Sequence, residues 1–453
     1  MVVKVPPFRR PLQGVDLEDK RFIDHHLDRL DATGVSRRDF GRLVAGGLAA
    51  GLAAERIGAP ATAYAAENGK IAYLYFSATL QYCRTVSKSV QDTAAALGAK
   101  STSLDAEFNS NKEYDQFQQL QVAGDLGGII LNPPDASNVK RIAEECQKNK
   151  IWMGNVWATL PWYTPFDAGE YFTYYSCPDD FHAAKEITTM LLTELQKKGK
   201  KGGKIIALDG IPGFSIDVVR IQGREAAIKN FPDFSFADAL PGNFNMEDGH
   251  KAAQALMTRH PDAVGIYAAN DEEAQGAIAV LKSLGLQPGE DVLIASAGDG
   301  NPEAAQAIKA GYLLCTAANV PQFMGAMMTT RVYDVMHGWK PRAAERMMLW
   351  GSRIMTKANV DQYLERYVDN GDVAPFNYKL MSKVLHPDDW DPQDLITPLD
   401  MDAEWGGIKK PDNYQYPKEY LEAKKSGEME KVAAEYKAHY KIDMFGPSPN
   451  KKA

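Results

Sequence analysis

The chain has 453 residues, 45% of them hydrophobic and 24% charged, the balance of a folded globular protein long enough for two or three packed units. Its 51 Lys and Arg against 59 Asp and Glu leave a formal net charge of −8, so no global basic surface exists to hold a nucleic-acid backbone. The 37 Gly and 25 Pro form no repeat or low-complexity tract, and four cysteines are too few for a disulfide scaffold.

The first apolar stretch, Leu43 to Ala54, is too short to cross ~30 Å of hydrocarbon as a helix. It reads as the apolar region of an export signal, preceded by Ser36-Arg37-Arg38-Asp39-Phe40 and followed by Ala61-Thr62-Ala63-Tyr64-Ala65. The arginine pair with its nearby aromatic residue resembles the twin-arginine export signal, and Ala63-x-Ala65 suits a signal peptidase. Residues 1–65 are therefore expected to be a signal peptide, with the mature chain starting near Ala66 in the periplasm or outside the cell. An amphipathic helix with a chance arginine pair is the competing reading. Thiols can pair in such a compartment. Cys83, Cys146, Cys177 and Cys315 show no C-x-x-C spacing, which leaves four small buried hydrophobes or one disulfide, and no zinc cluster.

From Lys70 onward, apolar runs of strand length alternate with amphipathic stretches of helix length. Lys70 to Phe76 reads as a buried strand, and Val86, Val90, Ala94 and Leu97 fall on one helical face. The unit recurs as Gly127 to Leu131 with a helix from Ala136 to Asn149, then Lys204 to Leu208 with a helix from Val218 to Phe231. Ala263 to Ala268 with a helix from Glu272 to Leu284 repeats it once more. Near-continuous apolar strands alternating with helices imply doubly wound parallel sheets, an α/β fold. In such sheets ligands bind beyond the carboxyl ends of the strands. Those ends carry Asn132-Pro133-Pro134-Asp135, Gly210-Ile211-Pro212-Gly213-Phe214-Ser215, Asn270-Asp271-Glu272 and Gly298-Asp299-Gly300-Asn301-Pro302.

In this order and spacing, the strand-end motifs resemble the sugar-binding branch of the type I periplasmic solute-binding proteins, the branch of the ribose receptors of ABC importers. The resemblance runs from about Lys70 to Asp361 and includes the ending Met355-Thr356-Lys357-Ala358-Asn359-Val360. It implies two α/β lobes joined by three crossing segments, near Cys177, Asn319 and Arg342. The first lobe would take residues 66–176 and 320–342, the second 177–319 and, on the chain's return, 343–361. Residues 362–453 fall outside the resemblance. They alternate charges with Tyr and Trp, carry six prolines from Pro375 to Pro417, and end in an expected helix from Pro417 to Tyr440. Their aromatic content reads as an extension packed on the lobes, with partner binding as the minor alternative.

A sugar offers hydroxyls that donate and accept, and apolar C–H faces, so its pocket needs planar polar groups and aromatic walls. Carried over from the family, the loop Thr79-Leu80-Gln81-Tyr82 supplies Gln81 and Tyr82, although Tyr82 also reads as a ring packed inside the first lobe. Where the family places an Asp-Arg pair after the strand Asn149 to Val156, this chain has Trp157 and Ala158, soon followed by Trp162 and Tyr163. The departure removes two charges and suits a less polar or larger ligand; a loop capping the hinge is the other reading. On the second lobe Phe214 follows a strand, and Arg220 with Gly223 fits the family's Arg-x-x-Gly helix. The family's ligand-binding arginine is expected two positions earlier, at Val218, so Arg220 reads as structural. Asn270 matches an amide that faces ligand hydroxyls, and Asp271 is expected to cap the following helix. Asp299 matches a carboxylate that accepts two hydroxyl protons, and Asn319 a hinge amide that reaches the ligand. Ordinary turn residues would look similar at these loops.

Catalytic signatures are missing from the sequence. It has no G-x-S-x-G, H-E-x-x-H or G-x-x-x-x-G-K-[ST], and its eight histidines are scattered. Asp400-Met401-Asp402-Ala403-Glu404 alternates carboxylates but puts Trp405 where a calcium loop needs Gly. No enzymatic activity, metal or cofactor is expected. The resemblance implies a monomeric extracytoplasmic receptor that closes on a sugar or polyol and presents it to the permease subunits of an ABC transporter. Delivery to a membrane receptor kinase or chemoreceptor is the alternative.

Overall fold

The computed structural model describes residues 69–406 and 408–451; the expected signal peptide lies outside these residues. The chain opens with β1 (Lys70–Tyr75), α1 (Gln81–Leu97), β2 (Ser101–Asp105), α2 (Ser110–Ala123), β3 (Leu126–Asn132), α3 (Val139–Asn149), β4 (Trp152–Val156), α4 (Pro165–Ala168) and β5 (Phe172–Pro178). Each of β1 to β5 pairs in parallel with its neighbours. Ile71, Leu74, Ile129, Ile130 and Met153 are fully buried, as expected of strands covered on both faces.

The chain then builds a second sheet. It runs through α5 (Asp180–Lys197), β6 (Gly203–Asp209), α6 (Ser215–Ile228), β7 (Phe234–Pro241), α7 (Met246–Arg259), β8 (Gly265–Ala268), α8 (Asp271–Ser283), β9 (Leu293–Ser296), α9 (Pro302–Ala310) and β10 (Cys315–Ala318). Next come α10 (Pro321–Met336), β11 (Met347–Trp350), β12 (Arg353–Thr356) and α11 (Val360–Tyr367), followed by β13 (Ile396–Pro398), α12 (Met401–Trp405), α13 (Lys418–Ser426) and α14 (Glu428–His439). The first sheet has the order β13-β11-β5-β4-β3-β1-β2 and the second β12-β10-β9-β8-β6-β7. Each sheet is parallel except for one antiparallel edge strand, β13 on β11 and β12 on β10.

The chain leaves the first sheet after Pro178. It returns between Ala318 and Pro321, since α10 packs on α1, β3 and β4. The third crossing differs from the expectation. β11 lies parallel to β5, with Met347 opposite Tyr175 and Trp350 opposite Pro178, so the chain passes to the second sheet only at Gly351 and Ser352. Arg342 instead caps a turn of the first lobe, donating to Glu345 at 2.9 Å and to Glu435 at 2.8 Å.

The extension is integral to both lobes. Its β13 adds the edge strand of the first sheet, and Trp405, 1% exposed, packs on Tyr175 at 5.6 Å between ring centroids. Asp334 of α10 accepts bonds from Ser382 Oγ and the Lys383 amide. On the second lobe, Arg353 of β12 pairs with Asp394 at 3.3 Å and donates to Tyr440 Oη at 2.7 Å. The expected helix from Pro417 to Tyr440 is two helices, because Gly427 sits at φ +73°, a left-handed conformation that ends one helix before the next begins. Asp400 caps α12 and, with Asp402, pairs with Lys424. No metal-ligating cluster occurs among the described residues. All four cysteines are buried and free.

Candidate functional site

The first lobe meets the cleft with rings. α1 begins at Gln81 just past β1, which brings Tyr82 edge-on to Trp157 with ring centroids 6.1 Å apart. Trp157 follows β4 at φ +66°, an unusual conformation for a bulky residue that the surrounding packing must hold. Its carbonyl accepts a bond from Tyr175 Oη at 2.9 Å, and its indole Nε1 lies 3.2 Å from Met324 Sδ. Trp350, the last residue of β11, meets it edge-on at 6.0 Å. Trp157 is 6% exposed. Through Trp350 it packs beside the crossing at Gly351 and Ser352.

The second lobe brings polar groups. Asn270 caps α8, its Oδ1 accepting from the Glu273 amide at 3.0 Å, while its Nδ2 donates to Phe244 O at 3.1 Å and Asp299 Oδ2 at 3.2 Å. The cap is thus Asn270, not Asp271. The Asp271 carboxylate instead pins the next loop, accepting from Ser296 Oγ and Thr316 Oγ1 at 2.6 Å each and from the Gly300 and Asn301 amides at 2.7 and 3.0 Å. Burial and the neighbouring Asp299 hold the Asp271 carboxyl above the ordinary range. That loop presents Asp299 at φ +84° between two glycines. Burial raises the Asp299 carboxyl as well, opposed by Arg220 and the Asn270 bond.

Arg220, read from sequence as structural, stands where the lobes face each other. Its Nε donates to Asp180 at 2.8 Å and its Nη1 to Ala269 O at 2.6 Å. The guanidinium lies 5.8 Å from the ring centroids of both Trp157 and Phe244, within cation–π range. A Cβ on Gly298 would come 2.7 Å from Arg220 Nη1, so glycine there leaves the guanidinium its place. Burial pushes Asp180 up to about 6 despite this partner.

Tyr82, Trp157, Asn270 and Asp299 thus converge around Arg220, and Phe214 joins them through Phe244, 6.3 Å away. Asn319 is set apart. It is 1% exposed, and its Oδ1 accepts from Ser352 Oγ at 2.6 Å, tying two crossing segments together while Nδ2 has no partner. Gln81 lies at the rim, where a groove of about 1100 Å³ starts from Gln81, Tyr82 and Asp299. Arg220 and Phe244 are the residues the sequence reading did not select. The Arg-x-x-Gly helix could have flagged the first; Phe244 sits in a left-handed turn at φ +56° with no recognisable motif.

A family model described as periplasmic binding protein domain matches residues 46–340. The ribose import binding protein of Salmonella typhimurium is 28% identical over 296 residues, covering 65% of this chain and 94% of that protein. Among solved structures, a twin-arginine translocation pathway signal protein from Burkholderia phytofirmans superimposes with a TM-score of 0.60 at 24% identity, over 67% of this chain and 94% of its own. The periplasmic binding protein of an arabinose ABC transporter from Shewanella sp. ANA-3, bound to L-arabinofuranose, gives 0.59 at 19% identity, over 66% and 96%.

Proposed function

The chain belongs to the periplasmic binding protein family, and on that premise we propose that it is a periplasmic receptor that closes two lobes on a sugar-like solute and passes it to an ABC permease. The observation that carries this reading is the Asp299–Asn270 pair and the anchored Arg220 set against the rings of Trp157 and Tyr82. Sugar hydroxyls donate charge-assisted bonds to a carboxylate and accept them from a guanidinium, and sugar C–H faces stack on rings. Asp299 would be the principal acceptor, Arg220 a donor, and Tyr82 and Trp157 the walls. Phe214, Gln81 and the spare amide of Asn319 would complete the lining. Closure would follow from contacts that a ligand makes with both lobes at once. The receptor would act as a monomer without cofactor or catalysis, and its export would use the Arg37-Arg38 pair.

The reading is tested by a thermal-shift screen of the purified chain against D-ribose, D-allose, L-arabinose, D-galactose, myo-inositol and glycerol. At least one sugar should raise the melting temperature in a concentration-dependent way, as ligand binding to the folded state requires. No shift with any sugar at millimolar concentration would overturn it. For export, Arg37→Lys with Arg38→Lys should leave the protein in the cytoplasm on cell fractionation, since guanidinium and ammonium are not interchangeable in recognition.

A further inference from the structure

The groove that begins at Gln81, Tyr82 and Asp299 does not end at the lobes. It continues along the outer face of α1 past Thr85 and Lys88, and its opposite wall is residues 367–379 of the extension together with Asn450. That wall is built rather than draped. Arg366 Nε donates to Pro375 O at 2.9 Å, and Tyr367 Oη to Met444 O at 2.9 Å. Asn450 Nδ2 reaches both Ala374 O and Phe376 O at 2.9 Å, and the Phe376 ring packs on Phe323 of α10 at 5.7 Å. The wall is thereby anchored on both lobes.

Three features define what the groove accepts. Its volume, about 1100 Å³, lies just above the ~300–1,000 Å³ range of pockets that enclose a drug-sized ligand, and a single sugar ring fills only part of it. Its lining repeats the chemistry of the cleft, with Thr85, Asp372 and Asn377 interleaved with Tyr367 and Tyr378. It also holds a spare acceptor: Gln322 Nε2 donates to Tyr367 O at 3.1 Å, while its buried Oε1 has no donor. Resting on the sugar-receptor reading above, we infer that the extension makes this a receptor for oligosaccharides. One sugar unit sits at Asp299, and the next units lie in the groove between α1 and residues 367–379. The loss of two charges at Trp157 and Ala158 agrees with a longer ligand whose binding is spread over more contacts.

The test is calorimetric titration of the full chain with three matched series: D-xylose, xylobiose and xylotriose; D-glucose, cellobiose and cellotriose; L-arabinose, arabinobiose and arabinotriose. In at least one series the dimer or trimer should bind at least tenfold more tightly than its monosaccharide. Thr85→Trp and Asp372→Trp fill the groove from opposite walls, and Asp372 is exposed, so that variant tests the groove without touching the core. Either one should bring the ratio to within twofold while the monosaccharide binds as before. If a monosaccharide binds and no longer homologue improves on it, the groove proposal fails and the sugar receptor stands. A preference for the longer sugar that survives both folded variants also overturns the groove as its site. If no member of any series binds, the oligosaccharide proposal falls, and the sugar-receptor reading is decided by the thermal-shift screen alone.

Discussion

The two lobes bring opposite chemistry to one cleft. The first contributes rings, Tyr82 and Trp157, each also seated against Met324 of α10. The second contributes a carboxylate and a guanidinium, held by Asn270 and Asp180 rather than by anything on the facing lobe. Across the gap the Arg220 guanidinium lies over the Trp157 ring, a contact worth roughly 0.5–2 kcal/mol by its geometry. Under the proposed function, such a division would let each lobe keep its own side of the site in order while open, and closure would need only to add the ligand. It also separates what a mutation does to folding from what it does to binding.

The largest expected loss comes from Arg220→Ala. Asp180 is left buried without its cation, and removing one partner of a buried pair costs about 3–5 kcal/mol. Denaturant unfolding should show that loss, with binding lost alongside it. Asp299→Asn should act on binding alone. The shape survives and Asn270 keeps an acceptor, but a charge-assisted hydroxyl bond is lost, and calorimetry should read a loss of about 1.5–3 kcal/mol with an unchanged melting temperature. On the ring side, Trp157→Phe keeps an aromatic wall but gives up the indole contact with Met324, and affinity should fall by about 0.5–1.5 kcal/mol.

An effect on stability alone lies off the cleft and serves as its counterpart. Glu113 in the first lobe is fully buried, with Oε2 accepting from Asn138 Nδ2 at 3.2 Å and Oε1 unpartnered. Burial pushes its carboxyl up to about 8. A carboxyl that holds its proton more tightly folded than unfolded stabilises fully below its unfolded pKa, near 4.3, and loses that contribution as pH rises through about 8. Glu113→Gln should therefore match the wild type in melting temperature at pH 4 and exceed it at pH 9, with sugar affinity unchanged at both.

The fold was legible because parallel strands buried on both faces leave near-continuous apolar runs, such as Gly127 to Leu131 and Lys204 to Leu208. The third crossing was not. Met347 to Trp350 is only four residues long, and no local pattern assigns so short an apolar run to one sheet or the other. Topology sends the loops at strand ends to the cleft, and within them the family resemblance picked out Asn270, Asp299 and Trp157. Their partners were hidden. A sequence does not reveal that Asn270 caps a helix and orients Asp299 with the same amide, nor that Gly298 leaves room for the Arg220 guanidinium. The break at Ser426-Gly427 was written in the sequence, as a glycine where a continuous helix pays for it in conformational entropy.

The central claim is that both lobes hold one ligand, each by its own chemistry. Hydrogen–deuterium exchange of the full chain, with and without the sugar that gives the largest thermal shift, measures it most directly. Amides of residues 76–82 and 157–160 on the first lobe should gain protection together with those of 210–215, 269–271 and 298–301 on the second. Protection confined to one lobe, or no change at either set of strand ends, would contradict the claim.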